Sequence, residues 1–111
     1  MAPPEEFEPQ NFTLTTRREG ERGIVALTGE LDLHTADQFT AAVTTLIDQH
    51  VAALEVDAGR LSFADSAGLR AVLTARAAAQ RAGASFGVTE ASEPVARLIE
   101  ITGLSEMLRA D

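Results

Sequence analysis

The residues best suited to chemistry in this chain stand at two breaks between apolar stretches. In "LSFADSAGLRAVL" (Leu61 to Leu73) an apolar run holding one serine stops at Asp65-Ser66-Ala67-Gly68, then resumes at Leu69 with helical spacing. A carboxylate, a hydroxyl and a glycine at a helix entry admit two readings. Asp and Ser are preferred N-caps, and Gly68 allows a tight entry. Alternatively, Ser66 is a phosphoacceptor, because the free N–H groups and positive dipole end of a helix N-terminus tolerate an anion. Caps are commoner than sites, so residue type alone favours the first. The second group is Glu30, Asp32 and His34 in "GELDLHTA". Its ordinary reading is a turn and helix start organised by Asp32 and Thr35.

Asp32, His34 and Ser66 would suit a serine hydrolase if they met. Against that, the Gly-x-Ser-x-Gly elbow is absent, and 111 residues leave little room for a substrate pocket. His34 and His50 offer no metal spacing, and no phosphate-binding glycine loop occurs. Cysteine is absent, which excludes disulfides and thiolate metal sites and suits a reducing compartment. The chain is therefore expected to be no enzyme, with no catalytic residue, cofactor or metal, and to act by binding.

The elements that must position these residues are legible in the hydrophobic pattern. "NFTLTTRR" alternates about Phe12 and Leu14, "REGERG" is a turn, and "GIVALTG" (Gly23 to Gly29) is a second strand, antiparallel to the first. Thr35 and Gln38 have capping-box spacing. Phe39, Ala42, Val43, Leu46 and Ile47 then mark one helical face. "VAALEVDA" (Val51 to Ala58) is a third strand. Leu69, Val72, Leu73 and Arg76 share a face of a second helix, stopped by Gly83. "ASFGVT" is a fourth strand. Ser92 caps a third helix with Pro94 in its first turn, Val95, Leu98 and Ile99 inward, and Gly103 at its end. "LSEMLRAD" is a short strand or a last helical turn. The order β-β-α-β-α-β-α implies parallel neighbours joined by right-handed crossovers, hence a small α/β sandwich with a mixed sheet of four to five strands. If strands two and three are neighbours, Asp32 and Asp65-Ser66 lie on one edge of the sheet.

Length and charge narrow the partners. One domain is expected over residues 11–111, after a disordered acidic tail over residues 1–10. "MAPPEEFEPQ" lacks the basic start and apolar run of a secretory signal, and no apolar run approaches the ~18–20 residues needed to span a bilayer. A cytoplasmic location is expected. The net charge of −8 supplies no basic footprint for nucleic acid and no cationic face for a membrane surface. A basic protein partner fits better.

Three blocks, taken together, are similar to one family. "TGELDLHTA" (Thr28 to Ala36) resembles its Gly-Glu-Leu-Asp…Thr-Ala segment. "LSFADSAGLRAVL" resembles its Asp-Ser-Ser/Thr-Gly-Leu signature, and "SEPVARLIEITGLSEML" its C-terminal helix ending in Thr/Ser-Gly-Leu. They stand in the family's order across almost the whole chain. The chain thus resembles the anti-sigma factor antagonists, the single-domain STAS proteins of bacteria. The resemblance implies a STAS fold and a partner-switching cycle in transcription regulation. The unmodified antagonist binds an anti-sigma factor that is also a serine kinase and so frees a sigma factor. The kinase phosphorylates the signature serine, binding is lost, and a serine phosphatase restores it. By position the phosphoacceptor is Ser66, and Asp32, Asp65, Ser66, Gly68 and Arg70 form the partner-binding set. Ala67 replaces the second hydroxyl of the signature, leaving Ser66 the only acceptor there. Arg70 stands where the family often has glycine, at i+4 from Ser66. A monomer is expected in the free state. The alternative is a STAS binding module of a transport or lipid-trafficking complex without a phosphorylation cycle.

Overall fold

Alternating residues in Phe12–Glu19 (β1) and Arg22–Leu31 (β2) build an antiparallel hairpin in the computed structural model, which describes residues 12–109. The tail expected over residues 1–10 lies outside the described residues. The turn is tighter than "REGERG" suggested. Only Gly20 and Glu21 separate the strands, and Gly20 takes the positive φ, 65°, that so short a connection requires. Pairing continues to Glu19↔Arg22. There the Glu19 carboxylate binds Arg17 and Arg22, and Arg22 also binds Glu55. The side-chain hydrogen bond from Arg17, followed by that from Arg22, holds the Glu19 carboxyl below its usual range. These exposed pairs stiffen the hairpin end and add little to stability.

The chain continues through α1 (Ala36–Asp48), β3 (Ala53–Ala64), α2 (Ser66–Arg81), β4 (Ser85–Ala91), α3 (Glu93–Ile101) and α4 (Ser105–Leu108). The strands form one mixed sheet in the order β1-β2-β3-β4. β1 is antiparallel to β2, and β2, β3 and β4 run parallel. This is the expected α/β sandwich, each parallel neighbour being reached through a helix. Val25, Leu27 and Leu31 of β2 and Leu54, Val56 and Leu61 of β3 turn to one face. There they meet Phe39, Val43 and Leu46 of α1 and Val72, Ala75 and Ala79 of α2 in a single core. Among the described residues no helix is long and apolar enough to cross a membrane.

The structure differs from the sequence reading in other elements as well. β3 runs to Ala64, well past Ala58. Its alternation is interrupted by two bulges, where Ala58 and Gly59 face the single residue Leu27, and where Ser62 is inserted between Leu61 and Phe63. Each bulge breaks period-two patterning. The Ser62 hydroxyl donates to the Gly29 carbonyl at 3.1 Å. The buried stripe of α2 is Gly68, Ala71, Val72, Ala75 and Ala79, with Leu69, Leu73 and Arg76 on its flanks. Small residues let this helix lie close to the sheet. Arg76 reaches sideways, its Nε donating to the Met107 carbonyl at 3.1 Å. "LSEMLRAD" combines both of its expected forms, as α4 is a single helical turn and Arg109 then bridges Val88 of the β4 edge.

Candidate functional site

Two segments meet where β2 and β3 end. Leu31↔Ala64 is the last pair of the parallel ladder, and the next N–H, of Asp65, donates to the Leu31 carbonyl at 3.3 Å. The start of α2 is drawn against that same carbonyl. A Cβ on residue 68 would stand 2.2 Å from the Leu31 oxygen and 2.9 Å from its carbonyl carbon. Gly68 is therefore demanded by space. The glycine of the signature is what allows the Asp65–Arg70 segment to lie beside the Asp32 loop.

The entry to α2 divides its duties between neighbouring residues. Asp65 is extended (φ −105°, ψ −172°), and its Oδ1 accepts the Gly68 N–H at 2.8 Å. Asp65 is the N-cap, an arrangement worth ~1 kcal/mol in typical helices. Ser66 is the first helical residue and is exposed. Among the described residues its hydroxyl makes no hydrogen bond, so capping does not occupy it. The 16-residue α2 directs its dipole and unpaired N–H groups toward this point.

The Asp32 loop is held by its own side chains. Asp32 Oδ1 accepts the N–H of His34 at 2.9 Å and of Thr35 at 3.2 Å, an Asx-type turn. The expected capping box of Thr35 and Gln38 does not form. α1 has no side-chain cap bond at Thr35. The Thr35 hydroxyl instead donates to the Glu30 carbonyl and accepts the Asp32 N–H, both at 2.9 Å. Thr35 is 3% exposed, and satisfying those two backbone groups at the end of β2 commits its only O–H and one of its lone pairs.

Of the residues singled out in the sequence, Asp32, Asp65, Ser66 and Gly68 are thus gathered at one end of the sheet. Asp32 and Asp65 are half-buried, Gly68 is buried, and Ser66 and Arg70 are exposed. Arg70 makes no ion pair with any described residue. No hydrogen bond among the described residues joins the side chains of Asp32, His34 and Ser66, because Asp32 faces backbone and not the imidazole.

Two further residues at this end, Leu33 and Asp37, were not singled out in the sequence. Leu33 is 71% exposed, and Asp37 lies on the first turn of α1. Both line an open groove of about 300 Å³ between α1 and α2, with Ala36, Ala67, Arg70 and Ala71. The available signal was an apolar residue, Leu33, inside an otherwise polar turn.

Known proteins are similar to this chain in sequence and in fold. The family model described as "Mlab, STAS domain" matches residues 14–109. The anti-sigma F factor antagonist of Paenibacillus polymyxa is 32% identical over 103 residues, which is 87% of this chain and 86% of the relative. The structure of an anti-sigma factor antagonist from Mycobacterium paratuberculosis superposes with a TM-score of 0.80 at 24% identity, over 90% of this chain and 85% of that one. The antagonist SpoIIAA in its unphosphorylated form gives a TM-score of 0.75 at 27% identity, over 89% and 87% of the two chains. In its phosphorylated form the Bacillus protein gives 0.69 at 25% identity, over 89% and 90%. With a family model matching almost the whole described chain and a relative 32% identical over 87% of it, the chain belongs to the STAS domain family.

Proposed function

We propose that the protein is an anti-sigma factor antagonist switched by phosphorylation of Ser66. In its unmodified form it binds an anti-sigma factor that is also a serine kinase, and a sigma factor is released. The kinase modifies Ser66 and binding is lost; a serine phosphatase restores it. The protein acts by binding and turns over no substrate of its own. One observation carries this reading: Asp65 caps α2, so the hydroxyl of Ser66 is exposed and unengaged at a helix N-terminus. A phosphate there meets free N–H groups and the favourable end of the dipole, so the fold can accept it. The family match and the relatives named as anti-sigma factor antagonists support the same reading.

Incubation with ATP, magnesium and the cognate anti-sigma kinase should add one phosphate, located on Ser66 by mass spectrometry. The Ser66→Ala protein should take none. A phosphate found only at another residue would remove the site assignment.

Asp32 and Asp65 stand with Ser66 at the same end of the sheet and are proposed to form one recognition surface with it. Asn at either position keeps an oxygen that can accept the local backbone N–H groups, so Asp32→Asn and Asp65→Asn should leave thermal unfolding nearly unchanged. Loss of the charge should weaken partner binding by about tenfold each, or ~1.4 kcal/mol. Titration calorimetry against the kinase checks this. Wild-type affinity in both variants would take these carboxylates out of the interface.

A further inference from the structure

The groove between α1 and α2 carries opposite charges on its two walls. Asp37 belongs to α1 and Arg70 to α2; both are exposed, and neither side chain makes a hydrogen bond or ion pair with another described residue. Between them Ala36, Ala67 and Ala71, with Thr40 and Thr74, line an open trough of about 300 Å³. Leu33 stands at its edge, 71% exposed. A lone exposed leucine is ordinary on a protein surface. A leucine beside a trough of small side chains, with an unpaired charge on either wall, has the composition of a contact site: an apolar centre and a polar rim.

We infer that this groove determines which anti-sigma partner the protein accepts. It receives one aliphatic side chain of that partner, flanked by a carboxylate that reaches Arg70 and a basic residue that reaches Asp37. The inference rests on the antagonist reading and adds to it the chemistry of the partner's surface. Two observations favour a partner protein over a second copy of this chain. The neighbouring groups Glu30, Asp32 and Asp65 are acidic and the chain carries a net charge of −8, so two copies meeting by this face would oppose like charges. The groove also runs into the start of α2, where Ala67 lines it directly after Ser66. A molecule seated there lies against the residue whose modification must be sensed.

The test uses the purified anti-sigma kinase that modifies Ser66, titrated against Leu33→Asp, Arg70→Glu and Asp37→Lys. Arg17→Glu, at the hairpin end of the sheet opposite the Leu31 strand end, serves as the control, its side chain being exposed and paired only with Glu19. Each groove variant should bind about tenfold or more weakly, and the control within about twofold of wild type. Arg70→Glu and Asp37→Lys shift net charge in opposite directions, so a loss in both cannot come from overall charge. If a reversal disturbs the melting curve, Arg70→Gln and Asp37→Asn provide the same comparison at smaller amplitude. Wild-type affinity in the groove variants, with binding still lost on Ser66 phosphorylation, would overturn the groove and leave the antagonist reading intact. No binding of wild-type protein to the kinase would remove that reading and the groove with it. A dimer of the free chain that Leu33→Asp dissociates would make a second copy the occupant and overturn the inference.

Discussion

Gly68→Ala should destabilise the protein by about 3 kcal/mol, the upper end of what one added methyl costs in a packed site. The added carbon would stand 2.2 Å from the Leu31 oxygen, far inside contact distance, and its neighbour is backbone at the end of a sheet strand. A flexible side chain would swing away; a strand-end carbonyl cannot move without disturbing the Leu31↔Ala64 pair. Alanine's better helix propensity offsets at most ~1 kcal/mol of this, and less in a first turn. The melting temperature should fall by on the order of 15 °C for a domain of this size. Gly59→Ala is the useful contrast, because its Cβ would meet Asp57 Oδ1 and the Glu90 Cβ at 3.3 Å, contacts that small shifts relieve. Its melting temperature should fall much less. A Gly68→Ala melt indistinguishable from wild type would mean that glycine is not what holds the Ser66 and Asp32 segments together.

That glycine also shows what can be read without coordinates. Its place at a helix entry was plain from "ADSAGL", but its reason was not. Residue type suggests conformational freedom, whereas the contact that forbids a side chain is with Leu31, 37 positions earlier in the chain. The element order was legible because period-two and helical patterns follow burial on one face. It blurred where bulges at Gly59 and Ser62 broke the alternation of β3. Thr35 and Gln38 had the spacing of a capping box. Spacing carries no information about the Glu30 carbonyl that claims the Thr35 hydroxyl. Asp65 and Ser66 could each have capped α2 from type alone, and only the 2.8 Å bond to the Gly68 N–H assigns the role to Asp65. Leu33 and Asp37 share a groove with Ala67 and Arg70 solely because α1 and α2 pack side by side.

Phosphorylation of Ser66 should weaken binding to the anti-sigma partner by roughly 30- to 150-fold, equivalent to ~2–3 kcal/mol. The modification adds about −1.5 to −2 charges at neutral pH beside Asp65 and the Asp32 loop. Within the free protein that charge is tolerable, because Ser66 is exposed and the dipole of α2 favours an anion there. In the complex it is not. A partner surface fitted to a neutral hydroxyl beside Asp65 would face a bulky dianion and bury it without matching donors. The effect therefore needs no refolding, and the phosphorylated chain should keep its circular dichroism spectrum and melting profile. Ser66→Ala should remain permanently able to bind. Ser66→Glu should bind less well than wild type but better than the phosphorylated form, since a carboxylate carries less charge than phosphate.

The most direct measurement is a paired titration of one anti-sigma kinase with the purified unmodified protein and the same protein phosphorylated on Ser66 alone. The proposed switch predicts tight binding of the unmodified form and a dissociation constant roughly 30- to 150-fold higher for the phosphorylated one, with both forms equally folded. Equal affinities would contradict it, even with Ser66 shown to be the residue modified.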